Sequence, residues 1–305
     1  MRGRALIHHD GGETAQRLAA LGVEVMAGDV REEPVCDRVT RGVNGVFHLA
    51  GITGRVGKPD SDYWDANVTT TKRLLKAATA NSVHRFVYCS TADVLGNVPS
   101  PPADEDTPTA RSDIYQITKT YAEGYALSNN GKRGLEVTVI RPTVIYGPED
   151  RRRLKLFRAA ARGRLWVIGK GDRMIHPVFV DDVVEGLILA YQSPAAPGRV
   201  YHIGGERYLP IQEWLRLIAG TAGVTPSVRR IPAGPALALA WASEFLFTLF
   251  GLEPPLFRRN MAFYLKNRGY SLERARRELG YEPKVSLEDG ARRTLAWYRE
   301  HGLLE

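Results

Sequence analysis

Tyr115 and Lys119 stand four residues apart in YQITK, so in a helix they share one face, one turn apart. A free tyrosine has a pKa of about 10, too high for a general base at neutral pH. An ammonium beside it stabilises the phenolate and brings that pKa towards the working range. Taken alone, the pentapeptide is more often an unrelated exposed pair. Upstream, YCSTADVLG closes an apolar run with Ser90 and Thr91, whose hydroxyls would emerge at the carboxyl edge of a sheet. A hydroxyl there can hydrogen-bond a substrate oxygen while the tyrosine takes or returns its proton. A nicotinamide ring would exchange the hydride at the adjacent carbon. The hydroxyl pair at the strand end tips the reading of YQITK from coincidence to a catalytic pair.

Elements able to hold these residues recur along the chain. Apolar runs at 5–7, 23–28, 45–51, 85–91, 136–142 and 199–205 are rich in Val, Ile and aromatics and predict buried strands. The stretches 69–82 and 115–131 carry apolar residues at helical spacing, with Asn or Gly near their ends. The alternation predicts an α/β fold, a Rossmann-like doubly wound parallel sheet whose ligands sit at the carboxyl ends of the strands. After Pro148 the texture changes: 149–165 reads as a basic helical excursion, 176–191 returns to core pattern, and 199–205 closes the sheet. The expected division is a nucleotide-binding domain of 1–148 plus about 174–205, and a smaller, mostly helical substrate-binding lobe of about 149–173 plus 206–305.

Hydrophobic content of 44% and charged content of 25% are those of an ordinary globular chain. Two cysteines, Cys36 and Cys89, argue against a disulfide framework and for a reducing, cytoplasmic setting. The net charge of +8 suits acidic ligands such as nucleotide phosphates, or an anionic membrane surface, and equally a basic composition at large. The basic residues are scattered apart from Arg151, Arg152 and Arg153, and no aromatic-interleaved basic patch predicts a nucleic-acid partner. MRGRALIHHDGG has no apolar core of a signal peptide. The segment 235–252 is apolar except for Ser243, Glu244 and Thr248, at the short limit of a membrane span and with a costly central glutamate. It predicts an amphipathic or buried helix, with Trp241 and its phenylalanines suited to shallow membrane contact and hence to membrane association.

In combination these motifs resemble those of the extended short-chain dehydrogenase/reductases, the NAD-dependent epimerase/dehydratase superfamily, from about residue 5 to 205. VFHLAG (46–51), NVTTTKRLLKAA (67–78), STADVLG, IRPTVIYGP (140–148) and HPVFVDDVVEG (176–186) carry the likeness, and Leu95 stands where the family usually has Tyr. The resemblance implies NAD or NADP as cofactor, contacted by Asp29, Leu49, Ala50, Gly51, Asn67, Ser90, Tyr115, Lys119 and Pro142. Thr91, Tyr115 and Lys119 would be the catalytic set, with Thr91 and Ser90 toward the substrate and Lys119 also on the nicotinamide ribose. It further implies a small-molecule substrate, no metal and a homodimer. The tail at 270–304 and the apolar segment near 240 lean towards the 3β-hydroxysteroid dehydrogenase-like branch.

One departure is large. The family opens with a strand and a GxxGxxG turn into a helix, where glycines let backbone approach a pyrophosphate. HHDGGE has two glycines, but too little chain separates it from VEVMAGDV for the usual first helix. RALIHH is either a degenerate first strand with DGGE as a crippled phosphate loop, or the second strand, with VEVMAGD the third and Asp29 at the adenine-contacting position. The stretch from Asp29 to Val46 fits the second register better. There the first strand, which lies mid-sheet, and its loop would be missing, through truncation or natural loss, and NAD(P)H would bind weakly. A redox-inactive binding or scaffold protein is therefore the rival expectation.

Substrate choice stays open between a nucleotide sugar, served by Arg151 to Arg153 and Arg173, and a sterol-like or lipidic alcohol, served by 235–252. Arg173 reads equally as a diphosphate contact or a solvated loop residue. His8 and His9 read as exposed strand-end residues, and Asp10 as a candidate for the 2′-hydroxyl. His176 and the Asp181–Asp182 pair read as structural.

Overall fold

The computed structural model describes residues 3–8, 12–53, 58–249 and 258–304. Two compact units emerge, Met1–Ser90 with Arg111–Ile140 and Ala190–Val200, and Thr91–Ala110 with Arg141–Leu189 and Tyr201–Glu305.

The first unit runs β1 (Arg4–Ile7), α1 (Glu13–Ala20), β2 (Glu24–Ala27), α2 (Glu33–Thr40), β3 (Gly45–His48), α3 (Asp60–Tyr63), a widened helical turn at Trp64–Thr69, α4 (Thr70–Ala80), β4 (Arg85–Cys89), α5 (Ile114–Leu127) and β5 (Glu136–Pro142). β4 is central because RFVYC is apolar on both faces: Phe86, Val87 and Tyr88 are buried, and β4 pairs in parallel with β3 (Val46 opposite Phe86) and β5 (Val87 opposite Thr138). β10 (Val200–Ile203) follows β5, giving the order β10–β5–β4–β3. Leu74, Leu75 and Ala78 of α4 and Ala122 and Ala126 of α5, at helical spacing, join Phe86, Tyr88, Val137 and Val139 in one apolar core.

β1 and β2 form a separate parallel pair, with Leu6 opposite Met26, and β3 ends the other sheet. Had RALIHH been the first strand of a doubly wound sheet, β1 would lie hydrogen-bonded beside β3. Among the described residues it does not, and no described strand stands between them. This is the pairing expected of the second register. Asp10 and His9 lie outside the described residues.

The second unit contributes β6 (Val144–Tyr146), α6 (Leu154–Ala161), β7 (Arg164–Ile168), β8 (Met174–Ile175), β9 (Pro177–Phe179), α7 (Val180–Gln192), β11 (Leu209–Pro210), α8 (Ile211–Thr221), β12 (Ser227–Ile231), α9 (Ala233–Leu249), α10 (Arg258–Leu265), α11 (Glu273–Leu279) and α12 (Leu287–Glu300). Short strand pairs accompany its helices: β6–β9 and β7–β12 pair in parallel and β8–β11 antiparallel. Its core is aromatic, with Tyr146 against Trp214 (4.9 Å between rings) and Phe157 against Tyr298 (5.7 Å). Residues 91–110 go with this unit rather than with the first. Val98 N–H donates to the Asn267 carbonyl (3.0 Å), Ala103 N–H to Gly269 (2.9 Å), and Arg268 Nε to Asp93 (2.9 Å). Gly205 is obligatory here, since a Cβ would lie 2.3 Å from the Pro177 carbonyl oxygen, a backbone atom that cannot move aside.

Candidate active site

α5 begins where its sequence dictates. Asp113 accepts from the Gln116 N–H (2.9 Å), and Gln116 Oε1 accepts from the Ser112 N–H (3.0 Å) and hydroxyl (2.6 Å). This reciprocal cap fixes the phase of the helix and so the face on which positions 115, 119 and 123 lie. Tyr115 is partly exposed, while Lys119 and Glu123, one and two turns on, are buried.

Lys119 Nζ donates to the Cys89 carbonyl, the last residue of β4, at 2.6 Å and lies 4.3 Å from the centre of the Tyr88 ring. Burial pushes its pKa down from 10.5 to about 8, opposed by Cys89 and Glu123. One of its three N–H bonds is committed to Cys89, so two remain for other acceptors. Ser90 Oγ donates to Glu123 Oε2 (2.6 Å) and Ser90 N–H to the Ile140 carbonyl (2.7 Å). The hydroxyl proton of Ser90 is therefore held by Glu123, and only its lone pairs face other partners. Glu123 was not among the residues singled out from sequence; its position eight after Tyr115, on the same helical face, was the available signal.

The turn after β3 is shaped by Asn67. Its Oδ1 accepts from the Ile52 N–H (2.8 Å), and its Nδ2 donates to the Ile52 carbonyl (3.1 Å) and to Thr118 Oγ1 on α5 (3.0 Å). A Cβ on Gly51 would sit 2.8 Å from that Oδ1, so only glycine lets the turn approach Asn67. Leu49, Ala50 and Gly51 are exposed, and Leu49 is 62% so. His48 is buried with Nε2 2.9 Å from Thr71 Oγ1, and burial, with Lys119 nearby, lowers its pKa to about 3, keeping it neutral. Replacing Asn67 by Ala strands both Ile52 backbone groups and is expected to lower unfolding free energy by about 2–3 kcal/mol, measured by urea denaturation.

Asp29 closes β2 with its carboxylate held by Arg31, through Nε at 2.8 Å and the backbone N–H at 2.9 Å, and with His8 3.8 Å away. The Arg31 hydrogen bonds bring its pKa to about 2. In the second unit, Thr91 is extended and accepts from the Asp93 N–H at 3.2 Å, capping the short turn Ala92–Leu95. Leu95 is buried beside Val94 and Tyr270, and Pro142 is buried at the end of β5. Arg173 is half exposed, with Nε 4.0 Å from Asp172. His176 is buried on the Gly205 carbonyl (3.0 Å), and Asp182 accepts from the backbone N–H groups of Lys284 (2.8 Å) and Val285 (3.3 Å). Both bind backbone of the second unit. Asp29, Gly51, Asn67, Ser90, Tyr115 and Lys119 thus fall in the first unit, and Thr91, Pro142 and Arg173 in the second.

The family model described as "NAD dependent epimerase/dehydratase family" matches residues 4–204. The chain is 30% identical over 295 residues to a 2-alkyl-3-oxoalkanoate reductase of Stenotrophomonas maltophilia, covering 92% of this chain and 88% of that protein. It is 31% identical over 294 residues to a 3 beta-hydroxysteroid dehydrogenase/Delta 5-->4-isomerase of Mycobacterium tuberculosis, covering 90% and 79%. Among solved structures it is similar to gox2253 (TM-score 0.82, 28% identity, 100% of this chain and 92% of that one). It is also similar to the dTDP-glucose 4,6-dehydratase DesIV of Streptomyces venezuelae, solved with NAD bound (TM-score 0.77, 26% identity, 99% and 89%).

Proposed function

Since this chain belongs to the NAD dependent epimerase/dehydratase family, whose members use NAD or NADP, we propose that it interconverts a secondary alcohol and its ketone on a lipid-like carbon skeleton. The observation that carries this reading is Lys119: a buried ammonium one helical turn from Tyr115, anchored on the carbonyl that ends β4. An ammonium buried this way is costly in a core and valuable beside a phenol that must ionise.

The residues present fit the nicotinamide and ribose end of the cofactor. Lys119 has N–H groups to offer, and the exposed 49–51 turn is shaped by a glycine without room for a Cβ. Asp29 is an ionised acceptor at a strand end, suited to the adenine side. The bound cofactor would supply the hydride acceptor or donor. On the protein's side, Lys119 stabilises the Tyr115 phenolate and would hydrogen-bond the ribose of a bound cofactor, and Tyr115 Oη takes the alcohol proton or returns it to the ketone oxygen. Thr91 hydrogen-bonds that oxygen, Ser90 assists by its lone pairs, and Pro142 would border the nicotinamide of a bound cofactor. Asn67 holds the turn that meets the cofactor, and Glu123 holds Ser90 and offsets the Lys119 charge.

The lipidic substrate is favoured by the relatives' oxoalkanoate and steroid activities and by the apolar α9 of the second unit. A spectrophotometric panel tests it, with long-chain 3-oxo acids, sterol alcohols and nucleotide sugars each offered with NAD(H) and NADP(H). Turnover is expected on apolar substrates, and turnover confined to nucleotide sugars would overturn the assignment. Arg173 would serve only in that second case. Trp64 and Tyr121, both exposed and tilted against each other at 5.1 Å, are suited to the expected homodimer. Sedimentation giving a monomer at all concentrations would remove that part. One observation favours the rival, a cofactor-impaired binding protein: β1–β2 stands apart from β3 without a described strand between them. In that case no substrate would change the nicotinamide absorbance.

A further inference from the structure

α9 is apolar apart from Ser243, which is buried, the partly exposed Glu244, and Thr248 near its end. Ala236 and Ala240 are buried in a cluster with Ile168 of β7 and Met261 of α10. On the opposite side Leu239, Trp241, Phe245 and Leu246 are 60%, 57%, 55% and 51% exposed, and Trp241 and Phe245 stack at 5.7 Å with rings nearly parallel. At one hundred degrees per residue, Ala238, Trp241, Ala242 and Phe245 lie together along that side, flanked by Leu237 and Leu246. An exposed apolar stripe of this extent marks a contact surface.

The surroundings say what covers it. Between Ser227 and Asn267 the sequence has five basic residues, Arg229, Arg230, Arg258, Arg259 and Lys266, and two acidic ones, Glu244 and Glu253. Arg229 and Arg230 lie on β12, directly before α9, and Arg258 and Arg259 open α10, which packs on α9. A second copy of this chain would bring the same basic residues against them. At 17 residues α9 is about 25 Å long, short of the ~30 Å hydrocarbon core, and no described helix is long and apolar enough to cross a membrane. An apolar helix with interfacial Trp and Phe, too short to span and set among net positive charge, matches a helix lying in the plane of an anionic lipid surface.

We propose that the outer face of α9 docks this protein on anionic membranes, with Trp241 and Phe245 entering the acyl boundary and the exposed Arg229 and Arg230 meeting lipid phosphates. This is independent of the Tyr115 chemistry and would stand whatever the substrate. Where that substrate is lipidic, docking would place the second unit at its source.

The test is co-sedimentation of the full chain with vesicles of phosphatidylcholine alone and with phosphatidylglycerol added, for the wild type, Trp241→Glu and Phe245→Glu. Both side chains are exposed, so the variants are expected to keep the wild-type circular dichroism. The expected result is binding to phosphatidylglycerol vesicles that weakens with salt and falls at least about tenfold in each variant. Absence of binding to phosphatidylglycerol vesicles, or equal binding to both lipids, would overturn the proposal. So would vesicle-independent dissociation of an oligomer into monomers in the variants, which would assign the face to a second copy.

Discussion

Tyr115→Phe is expected to lower turnover by about 10²–10⁴-fold, the usual contribution of a positioned acid/base, with the circular dichroism and unfolding midpoint of the wild type. The hydroxyl is the only group removed, and α5 keeps its Asp113–Gln116 cap and its Lys119 and Glu123 anchors on the end of β4. The loss falls on the proton-transfer step, so it appears in kcat with little change in the affinity for NAD(P)H, measured by nicotinamide fluorescence. A variant that retained wild-type turnover would make YQITK an ordinary stretch of helix.

Lys119→Met separates catalysis from stability in opposite directions. Turnover falls because nothing then draws the phenol pKa down, while stability at pH 7 rises. The lysine has a folded pKa of about 8 against 10.5 in the unfolded chain. Below pH 8 both states carry the proton and the whole cost of burying the ammonium is present. Between 8 and 10.5 the unfolded chain holds a proton that the folded chain has released, so stability rises with pH across that window. Methionine removes the cost but leaves the Cys89 carbonyl without its donor. The net gain is about 1–2 kcal/mol in urea unfolding at pH 7, shrinking towards pH 10. In the alcohol-oxidising direction, the wild-type kcat/KM declines above about pH 8 as Lys119 loses its charge, and Lys119→Arg carries that decline upward. Lower stability in Lys119→Met than in the wild type at pH 7 would show that the ammonium is not held at a cost.

The parts of the fold visible in the sequence are those set by local chemistry. RFVYC is a continuous apolar run and became the central strand; Asp113 and Gln116 announce the start of α5, and with it the phase of Tyr115 and Lys119. The pairing of β1 with β2 but not β3 followed from the length of chain between Asp29 and Val46. What stayed hidden depends on partners far away in the chain. Glu123 reads as a solvated helix charge until Ser90, 33 residues earlier, is seen to donate to it. Asp182, at a helix start, reads as a cap, yet its carboxylate holds the backbone at 284 and 285. Residues 91–110 follow on from β4, yet Val98 and Ala103 bond to 267 and 269 and Asp93 to Arg268, contacts that tie them to the second unit. The role proposed for Thr91 rests on the family likeness and on chemistry.

The most direct measurement is transfer of label from deuterated NADH or NADPH to a long-chain 3-oxo acid or a sterol ketone, followed by mass spectrometry in the wild type and Tyr115→Phe. The expected result is a singly deuterated alcohol from the wild type and almost none from the variant, with cofactor binding equal in both. Equal labelling in the two proteins, or no labelled alcohol from a wild type that binds the cofactor, would contradict it.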